Sequence, residues 1–268
     1  MTQTHDITGI LATDLDGTLL PLADRPEHLA DLDALRKALV GSTVIFATGR
    51  HRASIEAAMS TYVLPSPSWV VADVGTSVYR LHQDEWSLAP GYVETMAKRV
   101  EGTMPKHVFD VLSGLSMLRR QPEAQQGQFK MSFFGPADDR EALHAEMEKL
   151  LSSKNLPYRV VSSVDPFNGE GLFDVLPRGA SKALALNWLC DHLNVGREKV
   201  VYAGDSGNDL AAFEAGFMSI VVGNATDEVY GQALAAAVAD GQPNRVYRAK
   251  AFATSGVLEG CRHFGLIS

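Results

Sequence analysis

Three short apolar runs in this chain stop abruptly at acidic or hydroxyl residues. "GILATDL" reaches Asp14 and Asp16, "STVIFATGR" reaches Thr48, and "KVVYAGD" reaches Asp205 with Asp209 four residues further on. Apolar runs of this length, bounded by polar turn formers, read as buried strands. Amphipathic segments lie between and after them: "PEHLADLDALRKALV", "HRASIEAAMS" and "NDLAAFEAG". "SWVVADVG" and "MSIVVGNA" add further strands, and "SKALALNWLCDHLN" and "QALAAAVADG" add helices. Strands alternating with helices specify an α/β fold, with a parallel sheet covered by helices on both faces. Ligands of such sheets bind beyond the carboxyl ends of the strands. That is where this sequence gathers its polar residues.

The rhythm breaks between the two halves. "TSVYRLHQDEWSLA" alternates as exposed antiparallel strands do, and "GYVETMAKRVEGTM" reads as helical. "GQFKMSFFG", "YRVVSS" and "LFDVLP" read as strands, and "DDREALHAEMEKLLSSKN" is a helix with acidic residues in its first turn. Residues 79–176 are therefore expected to form an inserted α+β domain. Residues 1–78 and 177–268 are expected to form the Rossmann-like core around it.

A chain of 268 residues, 46% hydrophobic and 21% charged, is long enough for such a core and insert. Its formal net charge of -8 argues against a nucleic-acid partner. An anionic substrate remains compatible, because a bound divalent cation reverses the local sign. The 2 cysteines, Cys190 and Cys261, sit in apolar periodic settings and read as buried thiols. "MTQTHDITG" lacks the apolar stretch of a signal peptide, and no apolar run approaches the roughly 20 residues that span a bilayer. A cytoplasmic protein without a membrane partner is expected.

Two carboxylates two residues apart repel one another and lose solvation when packed together, so a cation is expected beside them. Asp14, Asp16, Asp205 and Asp209 supply hard oxygen donors of the kind that suit Mg²⁺. Lys182, opening the helix after the insert, adds positive charge. A carboxylate held in such a site can attack phosphorus, and a second one can protonate the leaving oxygen and later take a proton from water.

"DLDGT", "FATGR", the lysine of "GASK" and "GDSGND", in that order, resemble the four-motif signature of haloacid dehalogenase superfamily phosphatases. The insert between the second and third motifs resembles the C2-type cap of that superfamily. "DVLPRGASKALAL", "VVGNATDEVY" and "NRVYRAKAFATSGVLEGCRHFGLIS" are similar to sucrose-phosphate phosphatases. The resemblance implies a Mg²⁺-dependent phosphatase acting on a phosphorylated disaccharide. Asp14 would be the nucleophile and Asp16 the general acid/base, which also offers its backbone carbonyl to the metal. Thr18 would hold that loop. Thr48, with Gly49 and Arg50 beside it, would bind the phosphoryl group, and Lys182 would neutralise its charge. Asp205 and Asp209 would complete the metal set begun by Asp14 and Asp16, with Asn208 in support.

Within the insert, Lys130 and Ser132 share one face of an alternating strand, and Lys130 is either a solvated lysine or a sugar contact. Glu123 and Gln126 carry the same two readings. Asn224 in "VVGNA" is either a turn former or an active-site contact. His51, His82 and His263 have no metal-ligand spacing and read as ordinary surface or packing residues. The resemblance leaves several substrates open besides sucrose 6-phosphate: mannosylfructose phosphate, glucosylglycerate phosphate or a hexose phosphate. A rival class is a non-catalytic partner of a sugar-phosphate synthase, which missing catalytic residues would favour; none is missing. A phosphomutase is disfavoured, although its exclusion of water leaves no mark in a sequence.

Overall fold

The computed structural model describes residues 9–103, 105–164 and 168–268. The expectation for the polar N-terminal segment falls on positions 1–8, outside the described residues, as do 104 and 165–167 within the insert. The chain divides into two compact units: one runs to Ser87 and resumes at Ser181, and the other is Leu88–Ala180.

The first unit is built on β1 (Ile10–Thr13), β2 (Thr43–Ala47), β3 (Trp69–Ala72), β4 (Ser77–His82), β5 (Glu85–Leu88), β10 (Val200–Gly204), β11 (Met218–Val221) and β12 (Val246–Arg248). They form one sheet in the order β12-β11-β10-β1-β2-β3-β4-β5. β12 through β3 pair in parallel, and β4 turns back antiparallel to β3. Leu11, Val44, Phe46, Val70, Val201 and Ile220 join one apolar cluster with Leu32, Leu35, Ile55 and Val257. Their strand neighbours Ile10, Ile45, Val71, Val200, Tyr202 and Val221 are buried too. Side chains alternate across a strand, so a sheet buried at successive residues is covered on both faces.

The helices that cover it are α1 (Glu27–Ala38), α2 (Arg52–Thr61), α6 (Lys182–Leu193), α7 (Leu210–Glu214), α8 (Asp227–Ala239) and α9 (Ala253–His263). α1 packs against α9, while α6 and α8 each pack against α7. No described helix is long and apolar enough to cross a membrane.

The second unit holds α3 (Pro90–Arg99), α4 (Pro105–Leu112), β6 (Arg119–Arg120), β7 (Met131–Gly135), α5 (Arg140–Ser153), β8 (Tyr158–Val164) and β9 (Gly171–Pro177). Its sheet runs β6-β7-β9-β8 and is antiparallel throughout. α5 buries Leu143, Met147 and Leu151, one stripe at four-residue spacing, and packs on β8.

Three expectations need correction. The hairpin of β4 and β5 extends the core sheet beyond β3, so the second unit begins at Leu88 rather than at 79. It ends at Ala180 rather than at 176, because Arg178 N–H still bonds the Pro157 carbonyl at 2.8 Å and Arg159 holds the Ala180 carbonyl. The helix expected over 91–104 stops at Arg99, since Glu101 and Gly102 turn to positive φ (49° and 76°).

β3 leads into a turn in which Asp73, Val74 and Gly75 all have positive φ (54°, 56° and 89°). The left-handed region costs a non-glycine residue roughly 1–2 kcal/mol. The turn closes onto the loop after β2: Asp73 N–H bonds the Arg50 carbonyl at 3.0 Å and Val74 N–H the Thr48 carbonyl at 3.2 Å. Gly75 abuts the Ser181 peptide so closely that a Cβ would collide with its carbonyl. Gly75→Ala should therefore destabilise the protein by more than about 1 kcal/mol, measured by urea denaturation. An unchanged midpoint would contradict this packing.

Candidate active site

The site is assembled at the carboxyl ends of β1, β2 and β10 and at the first residue of α6. Beyond Thr13 the chain makes one wide turn, closed by Leu19 N–H to the Asp14 carbonyl (3.2 Å) and Leu20 N–H to the Leu15 carbonyl (2.9 Å). Gly17 makes the turn possible twice over. Its φ is 68°, and a Cβ there would strike the Asp205 carboxylate. Asp14 is buried at the start of the turn, its Oδ1 accepting the Leu15 N–H at 2.7 Å.

Lys182 is the single buried cation of the cluster. Ser181 caps α6 through the Leu184 N–H (3.1 Å), which places Lys182 in the first turn. Its Nζ lies 2.8 Å from Asp14 Oδ2 and 2.7 Å from Asp209 Oδ1, and it donates to Asn208 Oδ1 at 3.1 Å. Both Lys182 and Asp209 are 0% exposed. Asp209 Oδ1 also accepts from the Tyr202 hydroxyl, while Oδ2 accepts the N–H groups of Asp205 and Ser206, each at 3.0 Å. A carboxylate has about four acceptor positions, and here protein donors engage all of them. Asp205 Oδ1 accepts from Thr18 Oγ1 at 3.0 Å.

Oxygens of Asp14, Asp205 and Asp209 lie within 4.8 Å of one another. Three carboxylates around one ammonium leave a local excess of negative charge, and hard oxygen donors in that arrangement fit a divalent cation. Asp14 and Asp205 are the members with acceptor capacity to give; Asp209 serves to orient its neighbours.

The Asp16 carboxylate stands apart from that cluster. Arg50 grips it with two bonds, Nε to Oδ2 at 2.7 Å and Nη2 to Oδ1 at 2.6 Å, and also holds the Ser54 carbonyl and hydroxyl. Thr48 is fully buried, and its Oγ1 accepts the Arg50 N–H at 3.2 Å. A Cβ at Gly49 would meet the Val74 side chain at ordinary contact distance. Asn224 donates from Nδ2 to the Gly17 carbonyl and accepts the Ala253 N–H at Oδ1, both at 2.8 Å.

Within the second unit, Lys130 immediately precedes β7 and is buried, which overturns the solvated reading. Its Nζ lies 3.8 Å from Asp174 Oδ1, which also accepts from the Ser132 hydroxyl. Gln126 is engaged at both ends of its amide. Nε2 donates to the carbonyls of Gln121 and Ser132 and Oε1 accepts the Ser132 N–H, so the side chain holds the turn before β7. Glu123 is exposed and pairs with Arg120 at 2.9 Å. Tyr202 and the turn at 73–75 were not anticipated, because a tyrosine in an apolar strand and an aspartate before Val-Gly carry no distinguishing pattern.

Fold and site together define a phosphoric monoester hydrolase of the haloacid dehalogenase type. The chain belongs to the sucrose-6F-phosphate phosphohydrolase family, whose model matches residues 7–265. It is 33% identical over 263 residues to the mannosylfructose-phosphate phosphatase of Agrobacterium fabrum, covering 96% of this chain and 97% of that one. It is 30% identical over 236 residues to the probable sucrose-phosphatase 3a of Arabidopsis thaliana, covering 82% of this chain but 52% of the longer plant protein. The fold matches that of the sucrose-phosphatase from Synechocystis sp. PCC6803, solved in complex with sucrose and phosphate. The TM-score is 0.76 at 23% identity, over 96% of this chain and 98% of that one.

Burial pushes the Asp14 carboxyl up to about 7; Lys182 opposes the rise, and the charges of Asp209 and Asp205 add to it. Asp205 is pushed up to about 6 by burial and then by Asp209, against the Thr18 hydrogen bond and Lys182. For Lys182, burial favours the neutral form, but Asp14 and Asp209 outweigh it and raise its pKa. Both Asp14 and Asp205 thus bind a proton more tightly in the folded chain than at the ordinary carboxyl value of 3.8. The stability they contribute is full below about pH 4 and is lost as pH rises through 6 and 7. In chelator, Asp205→Asn should therefore flatten the fall in melting temperature between pH 5 and 8 relative to wild type. Equal slopes would contradict the electrostatics.

Proposed function

We propose that this chain hydrolyses the phosphate monoester of a fructose-containing disaccharide, sucrose 6-phosphate foremost, with Mg²⁺ and through an aspartyl-phosphate on Asp14. The observation that carries the reading is the cluster of three carboxylates around Lys182. Burial and the neighbouring carboxylates raise the Asp14 carboxyl to about 7, so an added divalent charge would favour its ionised, nucleophilic form. Asp14 and Asp205, with the Asp16 backbone carbonyl, would hold Mg²⁺, which supplies neutralising charge to the nucleophile and the phosphoryl oxygens.

Asp14 attacks phosphorus as the bond to the sugar oxygen breaks, and protonated Asp16 gives that oxygen its proton. Asp16 must leave Arg50 to do so. In the second half, Asp16 takes a proton from water as the water oxygen attacks phosphorus. The bond to Asp14 then breaks and phosphate departs. Lys182 and Thr48 hold the phosphoryl oxygens through both steps. The enzyme acts in the cytoplasm, where its two buried free cysteines stay reduced.

Family membership supports sucrose 6-phosphate. Mannosylfructose phosphate is the second reading, favoured by 33% identity over 97% of the Agrobacterium enzyme. The Leu88–Ala180 unit is the proposed reader of the sugar, with Lys130 and Glu123 its candidate contacts. A site that hydrogen-bonds hydroxyls discriminates strongly against ligands lacking them.

Asp14→Asn should keep the circular dichroism spectrum and lose more than about a hundredfold of phosphate release. Retained turnover in that variant contradicts the nucleophile. On a panel of sugar phosphates, sucrose 6-phosphate or mannosylfructose phosphate should exceed fructose 6-phosphate by at least about tenfold in kcat/KM. Equal efficiency defeats the disaccharide reading while leaving a phosphatase.

A further inference from the structure

Asn224 joins two distant pieces of the first unit. Its Nδ2 donates to the carbonyl of Gly17, and its Oδ1 accepts the N–H of Ala253, the first residue of α9, both at 2.8 Å. Ala253 is fully buried with φ at 41°, an unfavourable conformation for alanine, and its N–H is one that a helix start leaves without an intrahelical partner. At the other end, the Gly17 peptide stands between Asp16 and Thr18. The same α9 turn reaches the loop again through Thr254 Oγ1, which donates to the Leu19 carbonyl at 2.8 Å. The loop that carries Asp14 and Asp16 is thus held at Gly17 and Leu19 by Asn224 and Thr254, and at Asp14 by Lys182.

We infer that Asn224 is a positioning residue: its amide fixes the Gly17 peptide and through it the direction of Asp16. Both ends of the amide are engaged by backbone groups of the first unit. This rests on the reading of Asp14 and Asp16 as the catalytic pair. Residues that orient catalytic ligands from behind typically cost 10- to 100-fold, roughly, when removed. An asparagine suits the task because it alone among residues of this size and shape donates at one end and accepts at the other.

Asn224→Asp tests the two ends separately. A carboxylate still accepts from Ala253 and favours the start of α9, but it cannot donate to Gly17. With p-nitrophenyl phosphate, kcat should fall at least about tenfold while KM stays within about twofold. Amide hydrogen exchange in a peptide covering residues 15–20 should quicken, with little change in melting temperature. Asn224→Ala, lacking both bonds, should show the same kcat loss with a lower melting temperature, and it carries the test if the aspartate variant does not fold. Unchanged kcat, unchanged exchange in that peptide, or a rise in KM at constant kcat would overturn the proposal. Asp14→Asn measured alongside separates the two claims. Activity retained there sinks the underlying catalytic reading, whereas activity lost there but kept in Asn224→Asp sinks this inference alone.

Discussion

The ammonium of Lys182, fully buried between Asp14 and Asp209, is the contact on which the rest of the structure depends. A buried charge costs several kcal/mol of lost hydration unless its partners surround it. Here the partners come from two strand ends, and the lysine comes from the first turn of a helix that the chain reaches only after its insert. Only a parallel sheet brings β1 and β10 side by side with their carboxyl ends together. Asp205 adds a further negative charge on the same side. The cluster is balanced well enough to fold and retains an excess of negative charge that suits another cation, which joins stability and chemistry in one group of side chains.

Around that contact the backbone is bent where ordinary residues resist. Gly17 turns left-handed against the Asp205 carboxylate, and the turn at Asp73–Gly75 runs left-handed through two residues that have a Cβ. Each bend is held by hydrogen bonds to carbonyls of the site's own loops. Such conformations persist where their surroundings over-determine them. The turn at 73–75 links the loop bearing Thr48 and Arg50 to the start of α6, so those two side chains and Lys182 share a common frame.

Much of this was legible in the sequence because strand burial and strand-end polarity leave a local pattern. "ILATD", "VIFAT" and "VVYAGD" each announce a buried strand and the residue at its tip. The helix at Pro105–Leu112 was not anticipated, for its apolar positions are short and follow a turn. The hairpin of β4 and β5 looked like insert because alternation tells a strand from a helix without telling which sheet it joins. Lys130 and Gln126 were read from their chemistry, yet the lysine's partner Asp174 comes from β9 and the glutamine's partners are backbone groups of Gln121 and Ser132. The Asn224 bridge joins residues 207 positions apart, and no spacing rule reports such a contact.

The central claim is that Asp14 and Asp205 await a divalent cation, and calorimetric titration of the chelated protein with Mg²⁺ tests it most directly. Run near pH 6 in buffers of differing ionisation enthalpy, it should show one ion per chain, bound with release of protons from the two raised carboxyls. Asp205→Asn should abolish or sharply weaken that binding. Absence of binding, or binding without proton release, would contradict the account.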